Sequence, residues 1–171
     1  RGYARSVSCG YHYQKGTLMK KQPNPWELGA TLYMPATRKD IAEVVLEGKI
    51  PGLRSLVVCL EDAVSEHDIP LAIQNLSLFL KQLRHARAVN DDEKYPLVFI
   101  RPRHPDMGRW LTTNLDLSAV DGFVLPKFTL STLPFWWDIM AGTSLMMMPT
   151  LETEEVYDVI KMQALANELS S

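Results

Sequence analysis

The sequence predicts an α/β domain built as a (β/α) barrel, and three observations support this fold class. Five short apolar segments of strand length recur along the chain, as in strands buried on both faces of a parallel sheet. A segment with helical spacing of apolar residues follows each of them, which favours right-handed crossovers. The first strand-to-helix turn, residues 34–38, lacks the glycines that bind phosphate in a doubly wound open sheet. We therefore expect a TIM-type (β/α) barrel, of which this chain holds about the first five βα units of eight.

The predicted barrel domain begins after a polar N-terminal segment. Residues 1–25 contain glycine, show no sustained periodicity and end in alternating prolines, which disfavour a preceding helix. The sequence thus predicts an arm or loop over residues 1–25 and a partial (β/α) barrel over residues 26–171.

The first two units each pair an apolar run with an amphipathic segment. Residues 28–34 predict a strand that Pro35 stops, and residues 38–47 carry apolar side chains at helical spacing. Residues 54–60 form an uninterrupted apolar run that ends in two carboxylates, and residues 69–89 predict a long helix.

The last three units repeat this alternation with shorter segments. Apolar runs bounded by proline, glycine or polar residues predict strands, and the segments between them predict helices. The predicted strands are residues 95–100, 122–125 and 144–148, and the predicted helices are residues 106–117, 131–141 and 154–169.

Composition and charge exclude several classes of protein. The chain has 46% apolar and 22% charged residues with a formal charge of -2, so it predicts a globular protein without the basic surface of a nucleic-acid binder. Cys9 and Cys59 are too few for a disulfide framework and favour a reducing compartment. No apolar run approaches the roughly 20 residues of a membrane span, and the N-terminus lacks a signal-peptide core. We therefore expect a cytoplasmic protein with no nucleic-acid or membrane partner.

Charged side chains follow the carboxyl ends of all five predicted strands. In α/β proteins this edge of the sheet is where ligands bind. A single charged residue after a strand is commonly a solvated loop residue or a helix cap, but the recurrence on successive strands favours a site. The residues in this position are Arg38, Glu61, Asp62, Arg101, Arg103, Lys127 and Glu152.

These residue types fit a carbanion chemistry on an anionic substrate. The planar fork of Arg101 suits a substrate carboxylate, and Glu152 is the best candidate to bind Mg²⁺, which polarises a carbonyl as a Lewis acid. Lys127 permits a Schiff base instead, which requires a lysine with a lowered pKa in a dry pocket. The sequence favours an ion pair of this lysine with Glu61, Asp62 or Glu152 over that desolvated state.

Five short motifs at these strand ends occur in an order that points to a known family. The motifs are LYMPATR at 32–38, VVCLEDAV at 57–64, FIRP at 99–102, VLPK at 124–127 and LET at 151–153. In this order they resemble the HpcH/HpaI aldolase and citrate lyase beta-subunit superfamily of carbon–carbon lyases, and in particular a divergent bacterial branch of it.

The resemblance implies a Mg²⁺-dependent enzyme that cleaves or forms a bond next to a carbonyl. Its implied substrates are small acyl-thioesters, including CoA or acyl-carrier thioesters, or 2-oxo acids. By matching motif, Arg101 would bind the substrate carboxylate or carbonyl, Glu152 would ligate the metal, and Glu61 and Asp62 would order the site. Cys59 stands where the family usually has an aspartate, and the family's second metal-binding aspartate belongs to a sixth strand that these five units do not include.

We therefore predict a Mg²⁺-dependent carbon–carbon lyase of the retro-aldol or retro-Claisen type. The predicted catalytic residues are Arg101, Glu61, Asp62 and Lys127, the predicted substrate-binding residues are Arg38, Arg101, Arg103 and Pro126, and the predicted metal ligand is Glu152. Two alternatives are a Schiff-base aldolase that uses Lys127 and a barrel that has lost its chemistry and serves as a binding or scaffold protein. Because five units alone would leave strand edges unpaired, we also expect a homo-oligomer.

Overall fold

The computed structural model describes residues 24–89 and 95–170. Within these residues, five strands alternate with five α-helices. The predicted arm over residues 1–25 lies outside the described residues except for its last two, and so does the polar segment 90–94. In chain order the elements are β1 (Thr31–Pro35), α1 (Ile41–Leu46), β2 (Ser55–Cys59), α2 (Ile69–Val89), β3 (Leu97–Arg101), α3 (Pro105–Asn114), β4 (Gly122–Leu125), α4 (Leu133–Met140), β5 (Met146–Pro149) and α5 (Val159–Leu169).

The five strands form one parallel sheet in the order β1-β2-β3-β4-β5. Each neighbour in the sheet is also the neighbour in sequence, as a series of right-handed βα units requires. In the register, Pro35 lies beside Cys59, and Cys59 lies beside Arg101. The carboxyl ends of the first three strands are therefore level with one another.

β1 begins three residues later than the predicted strand because the chain turns before it. Pro25–Glu27 forms a 3₁₀ turn. The side chain of Asn24 accepts a hydrogen bond from the N–H of Trp26, and the side chain of Glu27 accepts one from the N–H of Asn24. Gly29 then adopts a left-handed φ of 60°, a conformation open to glycine at little cost. The extended segment therefore begins only at Thr31.

α5 begins five residues later than the predicted helix because a second turn precedes it. Glu154–Tyr157 forms a separate 3₁₀ turn. The side chain of Asp158 then accepts hydrogen bonds from the backbone N–H groups of Ile160 and Lys161, which marks a new helix start. The other boundaries lie within about three residues of the predicted ones.

Apolar side chains cover both faces of the sheet, so the strand ends are the places where polar groups are accessible. Leu56, Val58 and Leu60 belong to the large cluster beneath the helices, whereas Val57 belongs to a second cluster with Phe99. This alternation places the second cluster on the opposite face. The longest helix, α2, buries a single apolar stripe. No helix in the described part of the chain is long and apolar enough to cross a membrane.

Candidate active site

Four charged residues from neighbouring strand ends meet at the carboxyl edge of the sheet. Glu61 follows β2, Arg101 ends β3, Lys127 follows β4, and Glu152 follows β5. The Nε of Arg101 donates a hydrogen bond to Oε2 of Glu61 at 2.7 Å, and its Nη2 donates to Oε1 of Glu152, also at 2.7 Å. We call these four residues the strand-end network.

Glu61 is the buried carboxylate of the strand-end network. Its side chain is 4% exposed, and its second oxygen accepts a hydrogen bond from Nζ of Lys127 at 2.8 Å. Burial raises the pKa of Glu61, but the hydrogen bond from Lys127 and the charge of Arg101 outweigh it and leave the pKa below its ordinary value. Glu61 is therefore ionised at neutral pH and holds two cations in place.

Arg101 is the buried cation of the network. Its side chain is 9% exposed and also lies 3.7 Å from the carboxylate of Asp62. Burial lowers the pKa of Arg101, whereas the charges of Glu61 and Glu152 raise it, and the net pKa lies above the ordinary value. Within the described residues, Nη1 of Arg101 makes no hydrogen bond. One arm of a fixed guanidinium fork is thus left for a ligand.

Lys127 binds two carboxylates, one through its side chain and one through its backbone. Its φ of 47° lies in the left-handed region, which costs a non-glycine residue about 1–2 kcal/mol. In that conformation its N–H donates to Oε1 of Glu152 at 2.9 Å while Nζ reaches Glu61. The ion pair predicted for Lys127 is confirmed.

The same ion pair opposes the Schiff-base alternative. The hydrogen bond to Glu61 raises the pKa of Lys127, and the side chain is 63% exposed. A Schiff-base lysine requires the opposite, namely a lowered pKa in a dry pocket.

Glu152 has one oxygen engaged by the network and one available. Its side chain is 32% exposed, and Oε1 accepts both hydrogen bonds, from Arg101 and from the N–H of Lys127. Oε2 accepts none from residues 24–89 and 95–170. No group of three or more His, Cys, Asp and Glu side chains in these ranges could hold a metal ion. Mg²⁺ needs only one or two carboxylates, with water and substrate oxygens as its other ligands, so the free oxygen of Glu152 fits this ion.

Three other predicted substrate-binding residues lie outside the strand-end network. Arg38 pairs with Asp40 through hydrogen bonds of 2.8 and 2.6 Å, and its side chain is 53% exposed. Pro126 is buried beside Lys127. Arg103 donates from Nη1 to backbone carbonyls of the turn that follows β2. Substrate contact by these residues stays a prediction.

Asn75 fixes the turn after β1, a role that the sequence pattern does not reveal. Its side-chain amide donates to the carbonyls of Ala36 and Thr37 at 3.2 and 3.1 Å, which anchors the turn after β1 to α2. The available signal in the sequence was a polar residue beside the apolar stripe of α2. Such residues also occur on ordinary solvated helix faces, so the pattern alone does not distinguish the two.

Comparison with known proteins assigns the chain to a family. A search of curated proteins found no match. A family model described as C–C bond lyase of the TIM-barrel fold matches residues 22–171, which is most of the chain. The match and the parallel sheet confirm the predicted fold class, while the narrower resemblance to the HpcH/HpaI superfamily stays a prediction. The chain therefore belongs to the C–C bond lyase family of the TIM-barrel fold.

Proposed function

We propose that the protein is a Mg²⁺-dependent lyase that cleaves a carbon–carbon bond in a carboxylate-bearing acyl-thioester or 2-oxo acid. The observation that carries this proposal is the buried guanidinium of Arg101. Glu61 and Glu152 fix its orientation, and Nη1 has no partner among the described residues. A fixed fork with a free arm suits a substrate carboxylate or carbonyl oxygen.

The charges at the strand ends support an anionic substrate together with a divalent cation. Glu61, Asp62 and Glu152 contribute three negative charges, and Arg101, Lys127 and Arg103, which lies against the backbone of Glu61, contribute three positive ones. Because these charges balance, a divalent ion bound among them would leave the site positive toward an anion. Glu152 would hold Mg²⁺ through Oε2. When bound, Mg²⁺ acts as a Lewis acid on the substrate carbonyl.

The proposed cleavage breaks the bond between the carbons α and β to the activated carbonyl. The β-hydroxyl group gives its proton to a base, its carbon becomes a carbonyl, and the electron pair of the broken bond forms an enolate. Protonation of the α-carbon completes the reaction. Arg101 orients the substrate, and Lys127, which Glu61 keeps protonated, adds positive charge near the enolate oxygen. Asp62 orders the guanidinium from its solvent side.

The metal role is tested by isothermal titration of Mg²⁺ into the full-length protein and its Glu152→Gln variant. We expect the variant to bind Mg²⁺ more than about tenfold more weakly, because even indirect partners of a metal contribute that much. Glu43→Gln is the matched control, since Glu43 is an exposed glutamate that pairs with Lys49 away from the network. Equal Mg²⁺ binding by the wild type and the Glu152→Gln variant would contradict the metal role.

The lyase role is tested with a panel of carboxylate-bearing 3-hydroxyacyl-CoA thioesters and 4-hydroxy-2-oxo acids, with products identified by mass spectrometry. Replacing Arg101 with methionine should lower kcat/KM by about 10²–10³-fold, as the loss of one oxyanion donor does elsewhere. Borohydride should trap no adduct on Lys127, because only an imine is reduced. Absence of turnover and of Mg²⁺ binding would favour the binding or scaffold alternative.

Several finer predictions accompany this proposal. The CoA or acyl-carrier partner, the cytoplasmic location and the homo-oligomeric state are proposed from the sequence alone. Arg38 and Pro126 remain candidate substrate contacts.

A further inference from the structure

The geometry points to Arg103 as a positioning residue that fixes the turn bearing Glu61 and Asp62. This inference deepens the proposed function and rests on it, because Arg103 would act on the reaction through the strand-end network. From the sequence, the same residue is predicted to bind substrate. What it contacts in the structure is the backbone of a neighbouring strand end.

One nitrogen of Arg103 binds three carbonyl oxygens of a single turn. Nη1 lies 2.7 Å from the carbonyl oxygen of Val64, 3.3 Å from that of Glu61 and 3.4 Å from that of Leu60. The turn is closed by a hydrogen bond of 3.0 Å from the N–H of Val64 to the carbonyl of Glu61. Leu60, Glu61 and Val64 are all buried, so their carbonyl groups need partners within the protein. Arg103 supplies one hydrogen-bonding partner that these three carbonyl groups share.

Arg101 and Arg103 therefore hold the same residue from two sides. Arg101 binds the carboxylate of Glu61, while Arg103 binds its backbone carbonyl. Pro102 between them is buried and has a φ fixed near −65°, which limits the backbone movement between Arg101 and Arg103. The conformation of Glu61 is thus set at both its backbone and its side chain.

Loss of the Arg103 guanidinium should free the turn and misplace the carboxylate that orients Arg101. A displacement of about 1 Å in a positioning group can reduce turnover by about 100-fold. The effect should fall on kcat, since Arg101 would still be present to bind substrate but would be oriented less well. A direct substrate contact by Arg103 predicts instead a rise in KM with an unchanged turn.

The experiment compares wild type, Arg103→Gln and Arg109→Gln in the full-length protein. Arg109 is the matched control, because it is an exposed arginine that pairs with Asp138 outside the site. Hydrogen exchange of the Val64 amide is measured first, without substrate. We expect exchange at least about tenfold faster in Arg103→Gln and unchanged in Arg109→Gln, since local opening sets this rate. Unchanged exchange in Arg103→Gln would overturn the inference, whatever the activity of the protein.

Kinetics on a substrate found in the lyase panel give the second readout. A fall in kcat of about 100-fold with KM within about threefold supports positioning, whereas a rise in KM alone overturns it. If Arg103→Gln does not fold, Arg103→Lys keeps the charge without the planar fork and should show the same changes at smaller amplitude. Because the exchange measurement needs neither metal nor substrate, failure of the lyase proposal and failure of this inference are distinguishable.

Discussion

Replacing Glu61 with glutamine should destabilise the protein by about 3 kcal/mol. Glu61 is 4% exposed and pairs with Arg101, whose side chain is 9% exposed. Breaking a buried pair by removing one partner costs about 3–5 kcal/mol, because the other charge is left buried and uncompensated. The lower end of this range applies here, since Glu152 remains as a partner of Arg101. Lys127 adds less than about 1 kcal/mol, because exposed ion pairs are screened by water.

Urea unfolding followed by circular dichroism at pH 7 measures this cost, and double-mutant cycles divide it between the partners. We expect a coupling of about 2–3 kcal/mol between Glu61→Gln and Arg101→Met, and less than about 1 kcal/mol between Glu61→Gln and Lys127→Met. Glu43→Gln serves as the control and should change stability by less than about 0.5 kcal/mol. A loss below about 1 kcal/mol for Glu61→Gln, or a stronger coupling to Lys127 than to Arg101, would refute this reasoning.

Three further predictions concern stability. Gly108→Ala should cost about 1–3 kcal/mol in urea unfolding, despite the better helix propensity of alanine, because its Cβ would lie 2.6 Å from the ring of Trp136; in a Trp136→Phe background the cost should vanish. Asp121→Ala should cost about 3–5 kcal/mol, since it removes a side chain that is 9% exposed and pairs with Arg87, and a loss below about 1 kcal/mol would contradict this. Acid should weaken the fold through Glu61, because its pKa is lowered in the folded protein. The resulting stabilisation is complete above the ordinary glutamate pKa of about 4.3 and is lost as the pH falls through the lowered value. A Glu61→Gln variant should therefore show a flatter dependence of unfolding free energy on pH between about 5 and 3.

The order and type of the elements follow from the sequence because the strands are apolar runs, and the three central ones are buried at nearly every position. Residues 55–59 are apolar at nearly every position, and the helix that follows them, α2, has a clear apolar stripe. The starts of β1 and α5 do not follow from this pattern, since they depend on local capping. The side chains of Asn24 and Asp158 each accept hydrogen bonds from backbone N–H groups, and the spacing of apolar residues does not reveal such bonds.

The meeting of charged residues at one edge of the sheet also follows from the sequence, whereas the partners of each charged residue do not. Level strand ends place Glu61, Arg101, Lys127 and Glu152 at one edge. Arg38 occupies an equivalent position in the sequence pattern, yet it pairs with Asp40, two residues along the chain. A nearby carboxylate competes with the site for each cation, and the outcome depends on side-chain geometry that spacing does not encode.

Lys127 shows how the separate strand ends become one unit. Its left-handed backbone directs the N–H toward Glu152, while its side chain reaches Glu61. Arg101 bonds to the same two carboxylates, so each anion is held by both cationic residues. Substitutions within such a closed set should be strongly non-additive, because removing any member changes the environment of the other three. The charges are also in place before a ligand arrives, which is the condition under which they would most effectively stabilise the enolate of the proposed cleavage.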